Sequence, residues 1–180
     1  MRGQLLVASP ALLDPNFRRT VVLVAQHEED GTMGVVLNRP AEIEVAEAAP
    51  VLGGLVEPGA VVHQGGPVQP TAVVIVAEFA DPDAAGGGVP IFEDVGFVAG
   101  DADFEELEPA LRRARVFAGL AGWSPGQLEA ELEREDWILD PARPDDVFAS
   151  SPESLWGEVL ERKGGSFALL ARMPPDPSLN

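Results

Sequence analysis

Two short stretches place hydrogen-bonding side chains beside glycines at the ends of apolar runs. The first is GTMGVVLNRP at 31–40, where the run Val35-Val36-Leu37 stops at Asn38, Arg39 and Pro40. The second is HQGGPV at 63–68. Asn38 offers a donor and an acceptor, and the planar fork of Arg39 suits a carboxylate or a phosphate. Gly65 and Gly66 permit positive φ and the close approach of a ligand or another backbone. His27 and His63, the two histidines of the chain, each end an apparent strand, and imidazole is a side chain suited to acid–base work. Asn38, Arg39, His27, His63, Gly65 and Gly66 therefore form a candidate binding set: a pocket for a small anionic ligand, with Arg39 as clamp. The same residues also have a purely structural account. Asn38 would cap a strand end, Arg39 would pair with one of thirty acidic groups, Pro40 would stop the strand, and the glycines would serve tight packing.

Other chemistries fit less well. GTMGVVLNRP is not a phosphate loop, because no Gly-Lys-Ser/Thr follows and the one lysine is Lys163. Nor is it a dinucleotide fingerprint, since its glycines precede a strand rather than a helix. The chain has no cysteine, no tyrosine and no HxH or HExxH spacing. A thiolate nucleophile is thereby excluded, and no metal site is expected. The serines lack a GxSxG elbow. Carboxylates are too numerous for an acid–base pair to be singled out, and faces such as Glu129, Glu131, Glu133 and Glu135 read as solvated surface. No catalytic residue and no cofactor is expected. Trp123, Trp137 and Trp156 read as core anchors.

Composition narrows the partners. The formal charge is −18, with 4 basic and 11 acidic groups in residues 1–90 and 8 and 19 in residues 91–180. Such a field opposes direct binding to nucleic acid or to an anionic membrane surface. The basic clusters are Arg18-Arg19 and Arg112-Arg113-Arg115. The apolar run after Met1 is too short for a secretory core and no run reaches the ~18 residues of a membrane helix, so a cytoplasmic protein is expected.

The elements that must position these residues come in two groups. Strands are expected at Gln4–Ala8, Thr20–His27, Met33–Leu37, Ala60–His63, Thr71–Ala77, Val89–Phe92 and Val95–Ala99, several as hairpins. Ala41–Ala49 reads as a short helix stopped by Pro50. Residues 81–88 are flexible by composition. In the second half, Phe104, Leu107, Leu111, Ala114 and Ala118 recur at helical spacing and predict a helix over 104–120. Ser124-Pro125-Gly126-Gln127 reads as a capping box. Trp137–Leu139 predicts a strand, Ser151-Pro152 opens a helix ended by Gly164-Gly165, and Phe167–Met173 predicts a last strand before an extended tail, 174–180. Strands before helices favour α+β with a mixed or antiparallel sheet, and no linker separates a second domain.

In order and spacing, GQLLVASPALLDPNFRRTVVLVAQH at 3–27, GTMGVVLNRP at 31–40, HQGGPV at 63–68 and GLAGWSPGQLEAEL at 119–132 resemble the AlgH/YqgE family of bacterial proteins. WILD, the helix around Trp156 and the closing PSLN fit as well, so the likeness covers nearly the whole chain. Met33 stands where that family has a small residue, and Leu120 where it has an aromatic. The resemblance implies a single domain over 1–180 with an α+β fold: a bifurcated mixed β-sheet curled into a pseudo-barrel with helices packed outside. It brings no catalytic residues. One branch carries a transcriptional-regulator label drawn from the genetics of exopolysaccharide production. A non-enzymatic regulatory protein is the expectation, acting through an unknown protein or small-molecule partner rather than by direct DNA binding. The alternative is a small-molecule-binding protein or cryptic enzyme with its pocket near Asn38-Arg39-Pro40 and Gly65-Gly66-Pro67.

Overall fold

Uninterrupted β-branched runs become strands in the structure, a computed structural model that describes residues 1–81 and 88–175. In chain order they are β1 (Gln4–Ala8), β2 (Val21–Glu28), β3 (Gly31–Val36), β4 (Pro40–Glu44), β5 (Val61–Gln64), β6 (Val68–Phe79), β7 (Gly88–Phe92), β8 (Val95–Val98), β9 (Leu111–Trp123) and β10 (Trp137–Pro141). The helices are short: α1 (Val45–Ala48), α2 (Phe104–Leu107), α3 (Gln127–Glu133), α4 (Pro144–Val147), α5 (Leu155–Lys163) and α6 (Ser166–Leu170). The main sheet path runs β10-β1-β2-β3-β9-β6-β8-β7, with β5 joined to β4 and to β9 off that path.

β9 is where the sheet forks. One flank pairs antiparallel with β6 along Leu111 to Leu120. The other flank takes two partners in turn: β5, parallel, at Phe117 and Ala118, then β3, antiparallel, at Ala121 to Trp123. The sheet is therefore mixed and bifurcated, as the family resemblance implies. It curls far enough for its two arms to face each other. Leu5, Val7, Val21, Leu23 and Val35 of one arm share a buried cluster with Val76, Ile91, Val95 and Phe117 of the other, and α5 joins them. Among the described residues the curl stays open, because β10 and β7 end the path without pairing to each other. The outer face of the first arm (Leu6, Val22, Val24, Trp123, Trp137) is covered by Leu128 of α3. That of the second arm (Ile75, Ala77, Val116) is covered by Val45, Leu52, Leu55 and Leu107.

Two predicted elements change type. Residues 111–120 are strand, and helix is confined to α2 and a 3₁₀ turn at Glu108–Ala110. Local preference for helix yields here to tertiary pairing, with β6 along the whole stretch and with β5 at Phe117 and Ala118. In the strand, Phe117 enters the inner cluster while Val116 enters the outer one, an alternation that helical spacing does not give. Gly119, expected to break a helix, bends the strand at φ +78°. Residues 166–170 are helix rather than strand. Gly164 and Gly165 turn the chain at positive φ, and Phe167, Leu170 and Ala171, at helical spacing, dock on the inner cluster. The 41–49 stretch divides into β4, paired to β5, and the single turn α1. Most of the 81–88 stretch (82–87) and the end of the tail (176–180) lie outside the described residues.

The close approach of 64–66 to β9 generates a prediction. A Cβ on Gly65 would stand 2.2 Å from the Gly119 carbonyl oxygen, backbone that cannot retreat without breaking the fork. Gly65→Ala is expected to cost about 3 kcal/mol in urea unfolding, at the upper end of overpacking effects. Gly157→Ala, in α5 with open space around it, is expected to stabilise by about 0.5–1 kcal/mol. Equal behaviour of the two variants would remove the fork from its place in this account.

Candidate functional site

The two glycine-bearing tips do meet, through backbone. Gln64 N–H donates to the Arg39 carbonyl at 2.7 Å, and Val36 N–H donates to the Gly65 carbonyl at 2.8 Å. Gly65 N–H in turn donates to the Ala118 carbonyl at 2.8 Å. A Cβ on Gly66 would stand 2.2 Å from the Leu120 oxygen. Both glycines are thus filled from above by backbone of β9.

Asn38 and Arg39 point their side chains back into the chain. Asn38 is buried; its Oδ1 accepts from Val21 N–H and its Nδ2 donates to the Arg19 carbonyl, both at 2.8 Å. Arg39 Nη2 donates to the Arg18 carbonyl at 2.7 Å. The LNRP tip therefore holds the Arg18-Arg19 turn, in which Arg19 carries a positive φ of 52°. His27 lies elsewhere, on the β2–β3 hairpin. Its Nδ1 is 2.7 Å from the Thr32 hydroxyl, and its Nε2 is 3.6 Å from Glu129 of α3. Hydroxyl, imidazole and carboxylate in line have the order of a nucleophile relay. Thr32 is buried, however, and none of the three lines either described cleft, so the trio ties hairpin to helix.

His63 is the candidate that faces space. A cleft of about 820 Å³ opens beside β5 and β9, lined by Pro40, His63, Arg115, Phe148, Ser150 and Glu153 among others. Its position follows from the fork. β5 reaches only Phe117 and β3 only the strand end, so Leu111 to Val116 has no ladder partner on that flank among the described residues. His63 is 3% exposed, its Nδ1 is 3.2 Å from the Val61 carbonyl, and its ring lies 5.7 Å from that of Phe117. Its Nε2 is buried with no partner among the described residues. Burial first, then the charge of Arg115, pushes its pKa down to about 4, against weaker opposing pulls from the Val61 carbonyl and Glu153.

The cationic wall of the cleft was not in the sequence-derived set, although its residues form one of the two basic clusters. Arg112 is paired with Asp94 at 3.0 Å and lies 3.8 Å from Glu78, while Arg113 pairs with Glu78 at 2.7 Å and Asp145 at 2.9 Å. Arg115 differs. Its Nη1 and Nη2 donate to the carbonyls of Val147 and Ala149, each at 2.9 Å, and no carboxylate lies within ion-pair distance among the described residues. Burial and then the neighbouring Arg113 charge lower its pKa from the ordinary arginine value. Two carbonyl bonds use two of five guanidinium N–H groups. The cleft therefore holds one uncompensated, half-buried cation beside a neutral imidazole, a setting for a small carboxylate or phosphate. Among the described residues no cluster of three metal-ligating side chains occurs.

One acidic residue departs from the solvated-surface expectation. Glu131 Oε2 accepts the indole N–H of both Trp123 and Trp137 at 2.8 Å, and its Oε1 accepts Gln127 Nε2 at 3.0 Å. Gln127 Oε1 reaches back to Ser124 N–H at 3.0 Å, half of the expected capping box, although α3 itself begins after Gly126. The three tryptophans are core anchors, as expected.

The low pKa of His63 makes a signed prediction. A histidine titrating near 4 in the folded chain and near 6.5 when unfolded takes up its proton first in the unfolded state. Its contribution to stability is complete above about pH 6.5 and is lost as pH falls toward 4. Between pH 7 and pH 4.5 the wild-type chain is expected to lose about 2 kcal/mol more than His63→Gln, measured by urea unfolding at each pH. Parallel losses would place the imidazole in solvent. Asn38→Ala is expected to cost about 2–3 kcal/mol, since Val21 N–H loses its buried acceptor.

Relatives place the chain. A family model described as AlgH-like matches residues 5–168. A UPF0301 protein of Streptomyces coelicolor is 46% identical over 186 residues, covering 100% of this chain and 95% of that protein. A UPF0301 protein of Mycobacterium tuberculosis is 41% identical over 181 residues, covering 99% and 90%. Among solved structures, a crystal structure of a Corynebacterium diphtheriae protein superposes with a TM-score of 0.89 at 33% identity, covering 95% of this chain and 91% of that one. The solution structure of the AlgH protein from Pseudomonas aeruginosa superposes at 0.72 with 28% identity, covering 96% and 94%. No described helix is long and apolar enough to cross a membrane. With matches that run the length of the chain in sequence and in fold, this protein belongs to the AlgH-like family.

Proposed function

We propose that the protein is a non-enzymatic, ligand-responsive regulatory protein of the cytoplasm whose ligand is a small anion held in the β5–β9 cleft. One observation carries the reading: Arg115 is a half-buried cation with no carboxylate partner among the described residues, in a chain of net charge −18. With 30 acidic side chains available, a guanidinium left uncompensated at a cleft wall is the group an anion completes. The carbonyls of Val147 and Ala149 hold its planar fork in place, so little ordering cost falls on the ligand. Phe148 and Leu55 give the cleft an apolar wall for the body of the ligand. His63, neutral at physiological pH and buried, offers a hydrogen bond rather than a second charge.

The non-enzymatic part rests on pairing. His63 bonds a backbone carbonyl, and His27 bonds a buried threonine, so neither imidazole is hydrogen-bonded to an accessible hydroxyl. The regulatory part is read through occupancy: an anion against Arg115 adds to the two carbonyl bonds that already hold residues 147 and 149 to β9, and the exposed Ser150 and Glu153 beside it are the surface that a protein partner senses. The binding pocket of this reading shares Pro40 and His63 with the motif tips, while the side chains of Asn38 and Arg39 hold the Arg18-Arg19 turn instead.

The test is native mass spectrometry of the gently purified chain, followed by thermal unfolding with inorganic phosphate, diphosphate and citrate as probes. At least one probe is expected to raise Tm with the logarithm of its concentration, by about 5 °C at a hundredfold excess over Kd. Arg115→Gln abolishes the shift, while Arg112→Gln, whose guanidinium is already paired, retains it. Equal shifts in wild type and Arg115→Gln, with matching circular dichroism, would sink the reading.

A further inference from the structure

A second groove, independent of the β5–β9 cleft, is lined by Ser9, Pro10, Leu12, Arg18 and Arg19 and closed by the tail residues Met173 to Pro175. Arg19 is its centre. Its guanidinium lies 4.4 Å from the centroid of the Trp156 ring, a cation–π platform. The indole is itself fixed, donating its N–H to the Ala8 carbonyl at 2.8 Å. Arg19 Nη2 donates to two successive tail carbonyls, that of Met173 and, at 2.7 Å, that of Pro174. No carboxylate lies within ion-pair distance of Arg19 or Arg18 among the described residues, and burial followed by the Arg18 charge lowers the Arg19 pKa. The backbone beneath is held at φ +52° for Arg19 by Asn38 and Arg39, which bond the carbonyls of residues 19 and 18. A strained residue, locked from below by two side chains and stacked on an indole, is built to aim its guanidinium.

The occupant has a definite chemistry. Both carbonyls that Arg19 takes, those of Met173 and Pro174, belong to X–Pro tertiary amides, which carry no N–H, and a fixed planar donor suits such a proline-containing stretch. Two features show that the fit in cis is incomplete. Ser9 Oγ is buried at the groove wall with no partner among the described residues. About 40 Å³ of free space also remains under the tail, enough for a further polar group or a water.

We propose that this groove is a docking site for an extended, proline-containing segment of a partner protein, and that Met173–Pro175 occupies it in cis as a displaceable latch. An incoming segment of the same type exchanges with the tail, accepting both Arg19 hydrogen bonds and reaching the Ser9 hydroxyl. The LNRP and RRT motifs then serve one recognition surface, with Asn38 and Arg39 as positioning residues for Arg19.

The test uses the full chain and a fluorescein-labelled peptide carrying residues 171–180, read by fluorescence anisotropy. The wild-type chain is expected to bind weakly, because its own tail competes. The double variant Pro174→Gly/Pro175→Gly, which loosens the latch without touching the core, is expected to bind at least tenfold more tightly. Adding Arg19→Gln to that variant abolishes binding, and a peptide with its prolines replaced by serine does not compete. Absence of binding by the loosened variant, with a wild-type circular dichroism spectrum, would overturn the proposal, as would binding indifferent to Arg19→Gln. A concentration-dependent dimer of the wild type in light scattering, abolished by the proline changes, would also overturn it in favour of tails exchanged between copies.

Discussion

The structure depends on one backbone contact, that of residues 64–66 against β9. Three hydrogen bonds converge there: Gln64 to Arg39, Val36 to Gly65, and Gly65 to Ala118. They let a single flank of β9 change partner from parallel β5 to antiparallel β3 within three residues. Backbone must meet backbone at van der Waals distance for this to occur, which only residues without a Cβ permit at 65, 66 and 119. The consequences spread in both directions. Toward the C-terminal end of β9 the fork seals the inner cluster. Toward its N-terminal end β5 turns away, the edge from 111 to 116 stays open, and the cleft with Arg115 and His63 exists because of it.

That geometry also assigns the polar tips a task that their composition alone leaves open. Asn38 and Arg39 look like a ligand clamp, yet all the acceptors they reach are carbonyls of the 18–19 turn, and Asn38 also receives Val21 N–H. Buried polar groups that are fully satisfied rigidify what they touch. Here they fix a left-handed arginine over a tryptophan, so the groups that fixed the reading of the motif act one layer beneath a surface.

Much of the sheet was legible because its strands are unbroken β-branched runs, as in Val21–Val24 or Val73–Val76, which admit no other element. The fork itself was not. Residues 111–120 carry apolar side chains at spacings compatible with a helix, and their arginines and alanines favour one locally. What makes them strand is pairing with partners 30 to 90 positions away, information that local periodicity does not hold. That misreading hid the candidate site. Read as helix, Arg112 and Arg115 share a face and Arg113 stands apart; read as strand, Arg113 and Arg115 share a face with Phe117, and Arg115 comes to stand beside His63. The distinction between Arg115 and its two neighbours is invisible in the chain, since it rests on where Glu78, Asp94 and Asp145 fall in space. Glu131 was hidden for the same reason: only the folded chain brings two indoles to one carboxylate.

On the proposed reading, the net charge bears on the size of an anionic ligand more than it opposes anions as such. At physiological ionic strength the field of exposed charges decays over about 8 Å. A polyanion such as duplex DNA spans many such lengths and meets the averaged field of all 30 carboxylates, which repels it. An anion only a few atoms across, lodged against Arg115, is governed by the charges that line the cleft: the unpaired guanidinium of Arg115, the already paired Arg112 and Arg113, and the carboxylates of Glu57, Glu108 and Glu153. The burial that lowers the pKa of Arg115 also lowers the local dielectric, which strengthens the contact it makes. Under that proposal an acidic chain with one shielded cation discriminates by extent, admitting a compact anion to a place that an extended one cannot approach.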